Sequence, residues 1–206
     1  MNELIKPRNI GAQLSNSTNT LTNEDLPGDF ALWIFIFAEM LAFGVLFVAY
    51  AFARAQDVAL FNQSQLSLSL TAGVINTLVL ITSSYFVVRG VSAVKHGSSK
   101  HCAYFLTGAF LLGGVFVCVK MWEFNAKFSA GITMSTNNFY MFYLSLTFFH
   151  FMHVLMGMVI LGYIIMKSLR GGYSIQDYVG VETGASFWHM VDFLWIILFP
   201  LIYLIR

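Results

Sequence analysis

The sequence predicts an all-α integral membrane protein, a bundle of five transmembrane helices. Hydrophobic residues make up 58% of the 206 residues and charged residues only 10%, whereas a soluble domain carries about 25% charged residues. Five segments are long and apolar enough to cross a bilayer, which takes about 20 residues of helix. A soluble fold of this length could not bury so much apolar surface, so we expect most of the chain to face lipid.

The five expected spans follow a polar N-terminal segment. Residues 1–29 are rich in Ser, Thr and Asn and lack the basic start and apolar run of a signal peptide, so we expect a polar cytoplasmic tail. Short connections and the absence of a Pro/Gly-rich linker predict one membrane domain over residues 30–206. The spans are expected at residues 30–53, 66–88, 103–122, 139–166 and 183–205.

Small and polar residues mark the expected contact faces of the first three spans. The first span is interrupted only by Glu39, close to mid-depth. The third contains Gly108, Gly113 and Gly114 and ends in Lys120 and Glu123. A stripe that suits close helix approach runs along the second span, and its members are Gly73, Asn76, Thr77, Ser83 and Ser84.

The fourth and fifth spans each carry ionisable residues on one helical face. His150, His153 and Gly157 recur at i, i+3 and i+7, which places them on one side of the fourth helix. Glu182 and His189 share a face at the start of the fifth span, with Ser186 and Asp192 close to it. Gly157 is expected to serve helix packing.

Ionisable groups in hydrocarbon are costly unless they are paired. We therefore expect a buried polar layer, linked to protons or to lipid, that comprises Glu39, His150, His153, Glu182, His189 and Asp192. Glu39 is either a proton-relay carboxylate or a structural acid, and in both cases it is expected to be protonated at neutral pH. Asp192 is expected to bond a neighbouring Trp or His.

The two histidines of the fourth span raise the question of a metal site. His150 and His153 lie one turn apart and could ligate a metal, but no Cys joins them and the only other His within a span is His189. We therefore expect a hydrogen-bonded structural pair and no bound metal or haem. No catalytic residues are predicted, because G-x-S-x-G, P-loop and H-E-x-x-H motifs are absent.

The distribution of basic residues predicts the orientation. With five spans, seven Lys and Arg residues lie on the side of the N-terminus and four lie on the other side. The positive-inside rule then places the N-terminus in the cytoplasm and the C-terminus outside. The net charge of +1 gives no reason to expect a nucleic-acid partner.

Three motifs resemble subunit III of the haem-copper oxidases. The fifth span carries Trp188-His-x-x-Asp192-x-x-Trp195 after an acidic residue, Glu182. The fourth carries His150-x-x-His153-Val-x-x-Gly157, and the first carries the buried carboxylate of Glu39. Asn76-Thr77 and Glu123-Phe124 match weaker landmarks. The chain resembles a short five-helix form that lacks the first two helices of the long members.

The resemblance implies a non-catalytic membrane subunit of a respiratory complex. It would stabilise a catalytic subunit that holds the haem and the copper or iron, and it would assist proton entry or lipid binding. The bacterial inner membrane is the expected location, with membrane lipids as further partners. Two alternatives stay open: an accessory protein of nitric oxide reductase, whose branch this chain resembles in its second, third and fifth spans, and a free-standing five-span transporter of a small substrate.

Overall fold

Five long helices and one short helix make up most of residues 30–205, the part of the chain described by a computed structural model. They are α1 (Phe30–Gln56), α2 (Val58–Gln65), α3 (Leu70–Lys95), α4 (Ser99–Ser129), α5 (Asn138–Leu169) and α6 (Val179–Phe199), with α6 continuing into a π-helix, Pro200–Leu204. The five long helices are each long and apolar enough to cross a membrane. The predicted fold class is therefore confirmed, whereas the predicted tail over residues 1–29 lies outside the described residues.

Helix ends follow local capping chemistry rather than hydropathy. The side chains of Asp57, Ser69 and Asn137 accept backbone N–H groups at the starts of α2, α3 and α5, which satisfies donors that have no partner inside the helix. The second span therefore begins at Leu70 rather than at the expected residue 66, because residues 66–69 form a turn after α2, a helix that was not predicted. Gly97 and Gly171 adopt positive φ angles of 79° and 72° just beyond α3 and α5, a backbone conformation that glycine adopts without steric cost.

Helices α3 to α6 form a four-helix bundle against which α1 leans. In this bundle α3 packs most extensively on α4, and α6 closes it by contacting both α3 and α5. Helix α1 contacts α5 and α6 through a narrow stripe of buried residues seven positions apart, Ile36, Phe43 and Tyr50. Most of the remaining surface of α1 is apolar and exposed, as expected for a lipid-facing helix or for a helix that meets a partner in the membrane.

The last helix changes its winding at Pro200. Proline has no backbone N–H and cannot continue the regular hydrogen-bond pattern, and the chain goes on as a π-helix in which Ile205 N–H donates to the Pro200 carbonyl at 3.0 Å. The fifth span is thus not regular throughout, which the sequence analysis did not predict. In this wider helical turn the Tyr203 side chain lies in the interior, where it is buried.

Candidate functional site

The six ionisable residues expected to form one layer lie in four separate contacts. Glu39 meets His153 between α1 and α5, with Oε2 and Nε2 3.0 Å apart. His153 Nδ1 lies 2.8 Å from the carbonyl oxygen of Phe149, to which it donates. With Nδ1 occupied in this way, Nε2 faces the carboxyl group at a distance over which the two residues can share one proton, although Oε2 completes no hydrogen bond within the described geometry. The Glu39 side chain is 20% exposed, so this contact lies near the surface of the bundle.

His150 is enclosed by aromatic rings and lacks a polar partner. It is fully buried, and neither ring nitrogen has a hydrogen-bond partner within residues 30–205. Its ring lies 5.2 Å from the Trp195 ring and meets the edge of Phe116 at 5.8 Å. The expected hydrogen-bonded pair therefore holds for His153 but not for His150, because the side chains around His150 offer ring faces rather than polar atoms.

Hydroxyl groups of α3 bind the two tryptophans of α6. Trp188 Nε1 donates to Ser83 Oγ at 3.1 Å, and Trp195 Nε1 donates to Thr77 Oγ1 at 3.0 Å. Residue numbers rise along α3 as they fall along α6, so the two helices are antiparallel. Each hydroxyl also donates to a backbone carbonyl, Ser83 to Ala109 and Thr77 to Gly73, and so completes its hydrogen bonding.

Glycines make room for large rings of α6. A Cβ atom on Gly157 or on Gly113 would lie 2.8 Å from the Trp188 ring, and one on Gly73 would lie 2.6 Å from the Phe199 ring. A side chain at these positions would therefore displace an aromatic residue. Asn76, from the same predicted stripe as Gly73, is fully buried, and its amide has no hydrogen-bond partner among the described residues.

His189 and Asp192 are both neighbours of Ser84. Ser84 Oγ is 2.7 Å from His189 Nδ1. Ser84 is also a polar neighbour of the Asp192 carboxyl group, but neither Asp192 oxygen completes a hydrogen bond within the described part of the chain. The expectation that Asp192 bonds a Trp or His is therefore wrong, because hydroxyl groups of α3 already take the indole N–H groups and the Nδ1 atom of His189.

Glu182 lies at the end of the bundle, in the first turn of α6. Its carboxylate is 2.7 Å from Lys95 Nζ, at the last residue of α3. A groove of about 360 Å³ runs from this ion pair along α3 and α6 to His189. Glu182 thus closes the end of a mainly apolar groove and does not contact Glu39 or the histidines of α5.

A buried charged network joins α4, α5 and the π-helix, and the sequence analysis did not assign it a role. Lys120 Nζ donates to Glu123 Oε2 at 2.9 Å and to the Tyr203 hydroxyl at 3.0 Å. The hydroxyls of Tyr143 and Tyr203 donate to Glu123 Oε1 at 3.0 and 2.8 Å. All four side chains are buried. The i, i+3 spacing of Lys120 and Glu123 was a signal, but their tyrosine partners could be found only from the packing.

Metal-ligating groups are scattered through the described residues. In residues 30–205, no three His, Cys, Asp or Glu side chains come close enough together to hold a metal ion. The arrangement consists of polar contacts between helices, and it can hold helices in register and hold a proton between Glu39 and His153.

Comparison with known proteins identifies the family of this chain. A sequence profile of cytochrome c oxidase subunit III matches residues 16–205. The chain belongs to this family. It is 33% identical over 177 residues to the cytochrome c oxidase subunit 3 of Thermostichus vulcanus, with 84% of this chain and 85% of the relative covered. It is 25% identical to the cytochrome bo(3) ubiquinol oxidase subunit 3 of Buchnera aphidicola, with 85% of each chain covered.

Another relative of this subunit III chain is longer. The match to the heme-copper oxidase subunit I+III of Aeropyrum pernix covers 85% of this chain but 22% of that protein, at 28% identity. The predicted resemblance to the subunit III family is confirmed. The closer assignment, to a branch associated with nitric oxide reductase, stays a prediction.

Proposed function

We propose that this chain is a non-catalytic integral membrane subunit of a haem-copper terminal oxidase. The observation that carries the proposal is the subunit III family match, which extends over all of the helices. Its partner is a catalytic membrane subunit that holds the haem and the copper or iron. The relative whose name joins subunits I and III in a single protein supports association with a subunit I, since fusion places the two at one complex.

The physical role of this subunit is to cover and steady the catalytic subunit. The chain offers wide apolar surfaces, above all on α1, where Leu41 and Val48 are each 70% exposed. In a membrane, such surfaces meet lipid tails or other helices. The Glu39–His153 contact adds a group that can hold a proton near this surface, and assistance to proton entry or lipid binding is part of the proposal.

The proposal places the chain in the bacterial inner membrane, with the N-terminus in the cytoplasm and the C-terminus outside. The charge distribution supports this orientation. The family match favours neither alternative function, the accessory protein of nitric oxide reductase or the free-standing transporter.

Affinity purification from native membranes tests the proposal. A chain tagged at its N-terminus and extracted in mild detergent should elute in a particle much larger than 23.1 kDa, with the visible absorption of haem. Mass spectrometry of that particle should identify a haem-copper catalytic subunit, whereas a nitric oxide reductase would move the proposal to the first alternative.

A matched control separates association from co-extraction. A similarly tagged membrane protein of another family should bring down no haem under the same conditions. The chain purified away from its partners should carry no stoichiometric haem, copper or iron. A monomeric chain with no haem partner after crosslinking in the membrane would refute the proposed function.

A further inference from the structure

The last described turn, residues 200–205, accepts hydrogen bonds from side chains of α1 and α2. The final carbonyl groups of a helix have no partner within it. Here Gln65 Nε2, at the end of α2, donates to the Ile202 carbonyl at 2.8 Å. Arg54, in the last turn of α1, donates through Nη1 to the Ile205 carbonyl. Its other terminal nitrogen donates to Asn62 Oδ1 of α2 at 2.9 Å.

The same turn is also bound to α3 and α4 of the bundle. The Tyr203 hydroxyl joins the buried Lys120–Glu123 pair of α4. Phe199, the residue before Pro200, packs where Gly73 of α3 leaves no room for a Cβ atom. Residues 199–205, which we name the C-terminal clasp, therefore contact both the α1–α2 pair and the helices α3 and α4.

Helix α1 also packs directly against the bundle. Its buried stripe meets the bundle mainly through rings, such as Phe43 against Phe149 at 5.0 Å between centroids, and through the Glu39–His153 contact. Towards the N-terminal half of α1 a groove of about 500 Å³ lies between α1 and α6, and Phe35 stacks on Phe187 of α6 with ring centroids 6.1 Å apart. The two ends of α1 are thus attached differently, through rings near Phe35 and through hydrogen bonds to the clasp near Arg54.

We propose that the C-terminal clasp fastens the α1–α2 hairpin to the four-helix bundle. The side-chain donors of Arg54 and Gln65 bind backbone carbonyl groups whose positions are set by the final turn around Pro200. Helix α1 therefore keeps its docked position through the final turn, and the bundle of α3 to α6 does not depend on it.

Distance measurements between spin labels test the clasp in the full chain in lipid nanodiscs. Cys118 is exposed on α4 and serves as one label site, and the buried Cys102 is changed by Cys102→Ala. Val48→Cys supplies the second label on exposed α1. Val159→Cys on α5, 73% exposed, gives a reference pair with Cys118 inside the bundle. With the clasp unmodified, the distance between the two spin labels should show a narrow distribution for both pairs.

Replacing the Arg54 guanidinium by a shorter, uncharged amide with Arg54→Gln, and removing the Gln65 donor with Gln65→Leu, should shift the 48–118 distance distribution to longer distances and broaden it. The 118–159 distribution should stay unchanged. Arg89→Gln is the matched control, because Arg89 lies near the other end of a span and stacks on Phe105, and it should alter neither pair. Tyr203→Phe keeps the ring and should shift the 48–118 pair in the same direction.

Two outcomes would overturn the proposal. An unchanged 48–118 distribution in the double variant would show that the ring contacts of α1 suffice. Equal broadening of both distance distributions would show that the double variant unfolds generally. The single variants Tyr203→Phe and Arg54→Gln then decide whether the clasp exists. If neither shifts the 48–118 distribution while the 118–159 distribution stays narrow, there is no clasp. Either failure leaves the proposed association with an oxidase untouched.

Discussion

His153 shows how a single ionisable side chain is accommodated between membrane helices. An ionisable side chain in hydrocarbon is costly unless it is paired, and for His153, unlike His150, the carbonyl of Phe149 and the carboxyl group of Glu39 face the two ring nitrogens. The pair needs one proton at Nε2, whichever residue formally holds it. A substitution at position 39 should therefore be judged by whether the new side chain can still donate to Nε2.

The variant Glu39→Gln should fold with nearly normal stability, because the amide keeps the shape and can donate to His153 Nε2. Glu39→Leu should lower the free energy of unfolding by about 1–3 kcal/mol, the typical cost of a buried polar atom left without a partner. Titration with a denaturing detergent, followed by circular dichroism, measures both variants. Equal stability of the two would mean that the 3.0 Å contact contributes nothing to the fold.

Gly157 provides the space that the Trp188 ring occupies. Gly157→Ala places a Cβ atom 2.8 Å from that buried ring and should cost about 1–3 kcal/mol of stability, as overpacking of a core does. Gly114→Ala is the matched control, since its nearest neighbour would be 4.0 Å away, and it should be close to neutral. The same unfolding measurement applies, and an equal effect of both substitutions would contradict this account of Gly157.

Between elements, the main electrostatic contact is the network of Lys120, Glu123, Tyr143 and Tyr203. Removing one partner of a buried ion pair leaves an uncompensated charge. Lys120→Met should therefore lower the free energy of unfolding by about 3–5 kcal/mol. The double variant Lys120→Met with Glu123→Gln should recover much of the loss, because the neutral amide oxygen can still accept from both tyrosines.

Unfolding of the single and double variants in detergent checks this pair. A double variant no more stable than Lys120→Met would indicate that Lys120 acts through its contacts with surrounding rings, such as Trp195 at 5.1 Å, rather than through the charge of Glu123.

The existence and the type of the long helices could be predicted from the sequence, because hydropathy alone distinguishes a membrane span. Helix α2 could not, because eight residues with a mixed composition carry no such signal. The contacts of α3 show the same limit. Thr77 and Ser83 could be assigned to a packing face by their spacing, but their partners Trp195 and Trp188 follow only from the antiparallel packing of α3 on α6.

For the whole molecule, the structure revises the charge distribution on which the orientation rests. Lys120 is one of the four basic residues expected on the outer side. It is fully buried and paired, so it cannot act as a loop charge. Among the remaining described basic residues, Arg89, Lys95, Lys100, Lys167 and Arg170 lie at one end of the bundle, and Arg54 and Lys127 lie at the other. The excess of basic residues at the first end, from which a cytoplasmic location is predicted, is therefore larger than the sequence indicated.

This bias predicts which loops are reachable from outside an intact bacterial cell. In a background with Cys118→Ser and Cys102→Ala, a membrane-impermeant maleimide should label Ser135→Cys, in the exposed α4–α5 connection. It should label Gln176→Cys, in the exposed α5–α6 connection, only after the cells are broken. Labelling before and after disruption makes each variant its own control for reactivity. The reverse pattern would place the C-terminus in the cytoplasm, and the excess of basic residues would then lie on the outer face, against the positive-inside rule.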